Sequence, residues 1–326
     1  MIPVFTCVAG IAALGAVAAS NTAVAQTYPS KPIRIISEYT AGNGGDVFFR
    51  HLARYMSAAT EQTWIIDNRG GAGGLLAVEA SMRAAPDGYT LLAASQNVFV
   101  TRRYLSRTGH VDALQDFTPI SALWRTTLVI AVHPSMPAKT LAQYIAHAKA
   151  NPGKLAYTSS GIGTQAHFAG MNLASMAGIS LLHVPYNNAR LVQDVVSGDV
   201  PSTISIVSSL TSFIKSGRLR PLAIAGAKRI DALPGVPAAS ETLPGFEPPP
   251  TWTALFAPAK LPPAILSSLH ANIVKGINAP EARAKAASDG FELIGNTPEQ
   301  FAAQIKRDIE VAGRLVKAAK IEPPTQ

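Results

Sequence analysis

A chain of 326 residues, 48% hydrophobic and 15% charged, can bury a substantial core, and its length predicts two domains. That apolar fraction, with only short charge runs, excludes a largely disordered chain. The net charge of +8 admits nucleic acid, an acidic membrane surface or small anions, but no helix-turn-helix pattern, zinc-finger spacing or Lys/Arg block supports nucleic acid as a partner.

Residues 4–19 are apolar and mostly small, and Ala23-Val24-Ala25 supplies the A-x-A pattern of a cleavage site. Residues 1–25 therefore read as a signal peptide cleaved near Ala25, although Met1-Ile2-Pro3 lacks the usual Lys or Arg. The stretch is too short and too rich in Ala and Gly for a good spanning helix. Cys7 falls inside it, so the mature chain would have no cysteine, which excludes disulfides, thiol catalysis and cysteine-ligated metals. No other apolar run approaches the ~18 residues of a membrane span. The expected location is the bacterial periplasm.

Tyr28-Pro29-Ser30-Lys31-Pro32 is an extended entry to a first strand, Ile33-Arg34-Ile35-Ile36. Residues 38–46 then form a glycine-rich turn before a helix at 47–59. A strand at 63–66, a second glycine-rich turn at 67–74, a helix at 75–84, a turn at Ala85-Pro86-Asp87-Gly88 and a strand at 89–94 follow. This strand-loop-helix rhythm predicts a parallel sheet with helices on its faces and ligands beyond the carboxyl ends of the strands. The apolar run 127–132 is the first candidate crossing between domains. A helix at 141–150, a strand at 154–157, a glycine turn at 159–164, a helix at 165–177, a strand at 179–184 and a helix at 191–197 build the second domain. Residues 222–225 read as a strand returning to the first domain. Beyond an irregular Pro- and Gly-rich connection at 233–250, helices are expected at 263–277, around Ala282 and at 298–319. The last carries an apolar stripe, Phe301, Ile305, Ile309 and Leu315.

Several chemistries fail on spacing. Ser160 and His167 stand seven residues apart, but no G-x-S-x-G elbow surrounds either, so Ser159 or Ser160 is better read as a cap or ligand contact. The seven histidines are scattered, with no H-E-x-x-H, and no metal or other cofactor is expected. Gly161-Ile162-Gly163-Thr164-Gln165-Ala166 fits G-x-G-x-x-A, yet the next strand ends without the ribose-binding acid, none occurring before Asp194. What remains is a binding protein. Turns that lead into helix N-termini leave backbone N–H groups pointing one way, and with hydroxyls from Tyr39, Thr40, Ser159, Ser160 and Thr164 they suit a carboxylate. The two turns are expected to face each other across a cleft. Asp46 has two readings, as a partner of backbone amides at the helix start or as an acceptor for a ligand amine, hydroxyl or water.

In order along the chain, Tyr28-Pro29-Ser30-Lys31-Pro32-Ile33, Asp67-Asn68-Arg69-Gly70-Gly71-Ala72-Gly73-Gly74, Ala85-Pro86-Asp87-Gly88-Tyr89-Thr90, Asp116-Phe117-Thr118-Pro119, His183-Val184-Pro185-Tyr186, Ala232-Leu233-Pro234-Gly235-Val236-Pro237 and Leu255-Phe256-Ala257-Pro258-Ala259 resemble segments of the periplasmic receptors of tripartite tricarboxylate transporters, the Bug family. The resemblance spans residues 28–321. It implies an α/β, two-lobed, type II periplasmic-binding-protein fold, each lobe a mostly parallel sheet flanked by helices, with the ligand between lobes. The division it implies is 1–25 leader, 26–124 first part of lobe 1, 125–221 lobe 2, and 222–326 return to lobe 1 with the C-terminal helices. It further implies an extracytoplasmic receptor without catalysis, a monomer that delivers a small carboxylate to membrane permease subunits. Two alternatives stand beside it, an exported dinucleotide-binding enzyme and a ligand sensor for a membrane signalling partner.

The expected ligand-binding residues are Tyr39, Thr40, Ala41, Gly42, Asn43, Gly44 and Asp46 in the first loop, Ser159, Ser160, Gly161, Gly163 and Thr164 in the second, and Ser95, Tyr186 and Ser205 by position in the family. This chain departs from the family pattern in its first loop, where Glu38, Thr40 and Ala41 replace prolines. In the second lobe Pro201 and Ser205 stand where acids are usual, and Asn187-Asn188 replaces a K-G pair. The lost acids imply a more anionic ligand, or one without an amine.

Overall fold

The computed structural model describes residues 28–105, 111–186, 190–247 and 249–318. The leader and its cleavage site, and Asn187-Asn188, lie outside the described residues. In chain order the elements are β1 (Ile33–Ser37), α1 (Gly44–Thr60), β2 (Trp64–Asn68), α2 (Leu75–Met82), β3 (Thr90–Ser95), α3 (Arg102–Leu105), β4 (Phe117–Thr126), β5 (Leu128–Val132), α4 (Leu141–Ala150), β6 (Leu155–Ser159), α5 (Gln165–Ala177), β7 (Leu181–Pro185), α6 (Arg190–Val196), β8 (Ser202–Ile206), α7 (Val207–Lys215), β9 (Arg220–Ile224), α8 (Ala239–Thr242), β10 (Thr253–Pro258), α9 (Pro263–Ile277), α10 (Pro280–Asp289), β11 (Phe291–Leu293) and α11 (Pro298–Ala318).

Two sheets organise these elements. The first runs β11-β4-β10-β3-β1-β2 and the second β7-β6-β8-β5-β9. Parallel pairing holds where strand-helix-strand units predicted it, at β2-β1-β3 and β7-β6-β8. The remaining pairs are antiparallel, so each sheet is mixed. Ile33, Ile35 and Ile36 of β1 are all buried, as a strand covered on both faces requires.

Each sheet carries an apolar layer on each face. Phe48, Phe49, Leu52 and Met56 of α1 pack one face of the first sheet, and Val98, Phe99, Phe301 and Ile305 pack the other. In the second sheet Leu141, Tyr144 and Leu173 cover one face, and Val195, Val207 and Leu210 the other.

Residues 222–225 correct one expectation. Residues 222–224 belong to β9, which pairs antiparallel with β5 in the second sheet, and the chain rejoins the first sheet only at β10. Leu222, Ala223 and Ile224 are apolar enough for either sheet, and sequence alone does not choose the partner strand. The outbound crossing is a single residue, Thr127, between β4 and β5. Its carbonyl accepts the Val207 N–H at 2.9 Å.

Candidate functional site

The loop after β1 is built by its own polar side chains. Asn43 caps α1, its Oδ1 accepting the Asp46 N–H at 2.9 Å. Asp46 is buried, and its carboxylate accepts from the Gly42 N–H (2.7 Å), Arg50 Nε (2.9 Å) and Asn68 Nδ2 (2.8 Å). Burial pushes the Asp46 pKa up, but these hydrogen bonds outweigh it and hold the carboxyl below its ordinary value. Asn68 Nδ2 also reaches the Tyr39 carbonyl at 3.0 Å, which ties this loop to the end of β2. The first-turn N–H groups of Gly44 and Gly45 keep no partner among the described residues, as α-helical geometry dictates.

Beside this loop lies a pocket of about 300 Å³ at the carboxyl ends of β1 and β3. Glu38, Tyr39, Thr40 and Asn43 line it from the first loop, Gly71, Gly73 and Gly74 from the second, and Ser95 and Asn97 from the end of β3. Tyr39 is fixed by its hydroxyl at 2.5 Å from Thr253 Oγ1, and burial raises its pKa. Glu38 is half-buried. Its Oε1 accepts the Ser95 N–H at 2.7 Å, and burial raises its pKa to about 7 against the pull of Ser95.

The turn after β6 is organised differently. Ser159 is fully buried, its Oγ 2.6 Å from His183 Nε2 and 3.2 Å from the Gly161 N–H. The Gly163 N–H donates to His167 Nδ1 at 3.1 Å, and Thr164 caps α5 through the His167 N–H. Ser160 and Ile162 are exposed, Ile162 by 72%. Tyr186 joins this turn by its N–H on the Ser159 carbonyl (2.9 Å), but its hydroxyl donates to Asp194 Oδ2 at 2.5 Å.

Of the expected residues, Tyr39, Thr40, Asn43 and Ser95 line the pocket. Ala41, Gly42 and Gly44 belong to the same loop without lining it, and Asp46 lies beneath it with both oxygens engaged. Ser159, Ser160, Gly161, Gly163, Thr164 and Tyr186 gather at the second turn, and none lines the pocket. Ser205 is buried on β8, opposite Val129. Glu38, expected as an unusual charge of the first loop where specificity is set, is in the lining, whereas the 71–74 glycines and Asn97 were not among the expected contacts. Asn97 has a signal that could have found it, a polar residue just beyond the carboxyl end of β3.

The two helix starts approach one region. A Cβ at Gly44 would sit 3.7 Å from the Phe291 ring, and Phe291 pairs with Thr126 across β11 and β4. Thr126 Oγ1 donates to Gln165 Oε1, at the first residue of α5, at 2.9 Å. Both N-termini therefore flank the interlobe crossing.

A family model described as the tripartite tricarboxylate transporter family receptor matches residues 48–321. Protein BugT of Bordetella pertussis (strain Tohama I) is 31% identical over 313 residues, covering 95% of this chain and 93% of its own. A solved structure described as a periplasmic transporter is 34% identical with a TM-score of 0.75, covering 90% of this chain and 99% of that one. The R. palustris protein Rpa4515, solved with adipate, is 28% identical with a TM-score of 0.78, covering 91% and 100%. Among the described residues, no helix is long and apolar enough to cross a membrane.

Proposed function

Because this chain belongs to the tripartite tricarboxylate transporter receptor family, the Bug family, we propose that it is an extracytoplasmic receptor that binds a small carboxylate between its lobes and delivers it to a membrane transporter without chemical change. The observation that carries this reading is the polar pocket of about 300 Å³ beside the open N-terminus of α1. Its size suits a ligand of a few carbons. Thr40, Asn43, Ser95 and Asn97 give it polar walls, and the helix start at Gly44 and Gly45, outside the lining, favours an anion nearby.

The start of α5 supplies a second donor set near the same crossing, so closing one lobe on the other would bring Ser160 and the α5 amides toward the pocket. The adipate held by Rpa4515 is consistent with an acid of this class. A dinucleotide fits poorly, since the Gly163 N–H is engaged by His167. In this reading the protein is periplasmic, processed near Ala25, and acts as a monomer with permease subunits as its partners.

The test is a thermal-shift panel of aliphatic di- and tricarboxylates, aromatic acids and acidic amino acids. At least one acid should raise Tm in a saturable way, following RT ln(1 + [L]/Kd). A panel with no shift, or a saturable response to NAD instead, would overturn the reading.

A further inference from the structure

The pocket proposed to hold an anion has a carboxylate in its wall. Glu38 is in the lining, and its Oε1 accepts the Ser95 N–H at 2.7 Å. Glu38 Oε2 abuts Gly74, where an added Cβ would come within 2.5 Å of it. Among the described residues no Lys or Arg forms an ion pair with Glu38, whereas Asp46, Asp67 and Glu292 each have an arginine. An unpaired carboxylate facing an anion site is repulsive unless a proton or a donor stands between the two.

The ionisable groups around Glu38 do not supply that donor. Tyr39, in the same lining, directs its hydroxyl to Thr253. Asp46, farther along the loop, is held by Arg50. Arg102 stands beside the glycine loop, with Nη1 3.4 Å from the Ala72 carbonyl and next to Gly73; it forms no ion pair with Glu38, and its buried Nε has no hydrogen-bond partner among the described residues.

Resting on the carboxylate-receptor reading above, we infer that Glu38 is a specificity-determining acid of this pocket. It selects carboxylates that present an ammonium or hydroxyl donor to it, and it takes up a proton when an acid without such a donor binds instead. The raised pKa of Glu38, about 7, makes that uptake accessible near neutral pH. This reverses the expectation drawn from Pro201 and Ser205, since the lining regains in lobe 1 an acid that a ligand amine can meet.

The test is titration calorimetry with matched sets of acids: unsubstituted, hydroxy and amino forms of four- and six-carbon aliphatic dicarboxylates. Each is measured at pH 7.0 and 8.5, in two buffers of different ionisation heat, on the wild-type protein and on Glu38→Gln. For an unsubstituted acid, affinity should fall roughly tenfold between pH 7.0 and 8.5, with close to one proton taken up at the higher pH. The hydroxy or amino form should change little over that range, and at pH 8.5 should bind roughly tenfold tighter than its parent. In Glu38→Gln both the proton uptake and the preference should vanish. His167 and His183, with lowered pKa values, are already neutral above pH 7 and do not confuse the result.

Acids that bind without proton uptake and without preference for a donor overturn the inference while leaving the receptor reading intact. If no acid of any class binds, the receptor reading falls and the inference with it. Should Glu38→Gln fail to fold, the wild-type buffer comparison decides alone, and zero uptake is the overturning result.

Discussion

His167 and His183 stack with ring centroids 4.1 Å apart and planes 12° from parallel, beneath the turn after β6. Each holds the turn by one nitrogen, His167 Nδ1 on the Gly163 N–H and His183 Nε2 on Ser159 Oγ. Tyr157 also stacks on His183, with ring centroids 5.0 Å apart. The pair works only when neutral, because a protonated His167 Nδ1 cannot accept from Gly163. Burial, and then the neighbouring His183, push the His167 pKa down to about 4, and burial lowers that of His183.

The consequence is an acid-sensitive second lobe. In the unfolded chain these histidines titrate near ~6.5, so between that value and about 4 the unfolded state binds more protons. Stability therefore rises with pH through this window and is lost on acidification. Glu38 has the opposite sign, since its raised pKa stabilises the fold at low pH and less as pH rises toward 7. The clean readout is a difference: His167→Asn, whose amide oxygen can still accept from Gly163, should flatten the fall in Tm between pH 7 and 5. A wild-type and variant pair with parallel Tm–pH curves would refute this.

Asp46 should matter for the fold of the first loop more than for direct contact with a ligand. Asp46→Ala removes the acceptor shared by the Gly42 N–H, Arg50 and Asn68, at a cost of about 2–3 kcal/mol, with Arg50's exposure keeping the figure below that of a fully buried pair. Asp46→Asn should cost about half as much, since one oxygen remains. Because the Asp46 pKa is lowered, its contribution is present above the ordinary carboxylate range and lost as pH falls through the folded value. Denaturant unfolding of the two variants at pH 7, and again at a pH below the folded Asp46 value, checks both the order and the narrowing of the gap to wild type at the acid end.

The C-terminal helix should be a main support of the first lobe. Phe301 is fully buried, with its ring 5.1 Å from Trp252 and 5.4 Å from Phe256. Trp252 Nε1 donates to Asp308 Oδ2 at 2.8 Å, and its carbonyl accepts the Gln96 N–H next to the pocket residue Asn97. Phe301→Ala should cost about 3–5 kcal/mol through the cavity it leaves. Trp252→Phe should cost about 1–2 kcal/mol by removing the indole donor from the half-buried Asp308, which keeps Gln304 as a partner. Equilibrium unfolding measures both, and a Phe301→Ala loss under ~1 kcal/mol would contradict the packing.

The legible parts of this molecule were those with local causes. The β1-loop-α1 unit could be read because the apolar run Ile33, Ile35 and Ile36 leads through a glycine-rich turn to a helix, but the Asn43 cap, which starts α1 at Gly44 and not at the expected Val47, was not read. The stripe Phe301, Ile305 and Ile309 marked the buried face of α11 for the same reason. Long-range pairing was not legible. β9 and β10 are similar apolar runs assigned to different sheets, and β11 is three residues long, too short to show a period. At the site, Ser159 and Asp46 were visible as polar groups near helix starts, but only the fold reveals that His183 and Arg50 already engage them. Glu38 was visible as an unusual charge. Its place in the pocket wall depends on the 71–74 loop, which arrives from elsewhere in the chain.

Gly74 provides the sharpest separation between the shape of the pocket and mere backbone strain. Its φ is +92°, and a Cβ built there would stand 2.5 Å from both Glu38 Oε2 and Val98 Cγ2. Val98 is buried in the core and cannot retreat, so Gly74→Ala must displace Glu38 or the glycine loop. Gly42 is the matched control, with φ +84° and nothing within 4 Å of the added Cβ. Gly42→Ala carries only the left-handed backbone cost, ~1–2 kcal/mol, and keeps the N–H that Asp46 accepts. Gly74→Ala carries the same cost plus the clash, about 2–4 kcal/mol in all. It should also weaken binding of whichever acid gives the largest thermal shift and move the Glu38 titration, while Gly42→Ala leaves that titration in place. Equal stability losses with unchanged binding in both variants would show that the Glu38–Gly74 contact does not shape the pocket.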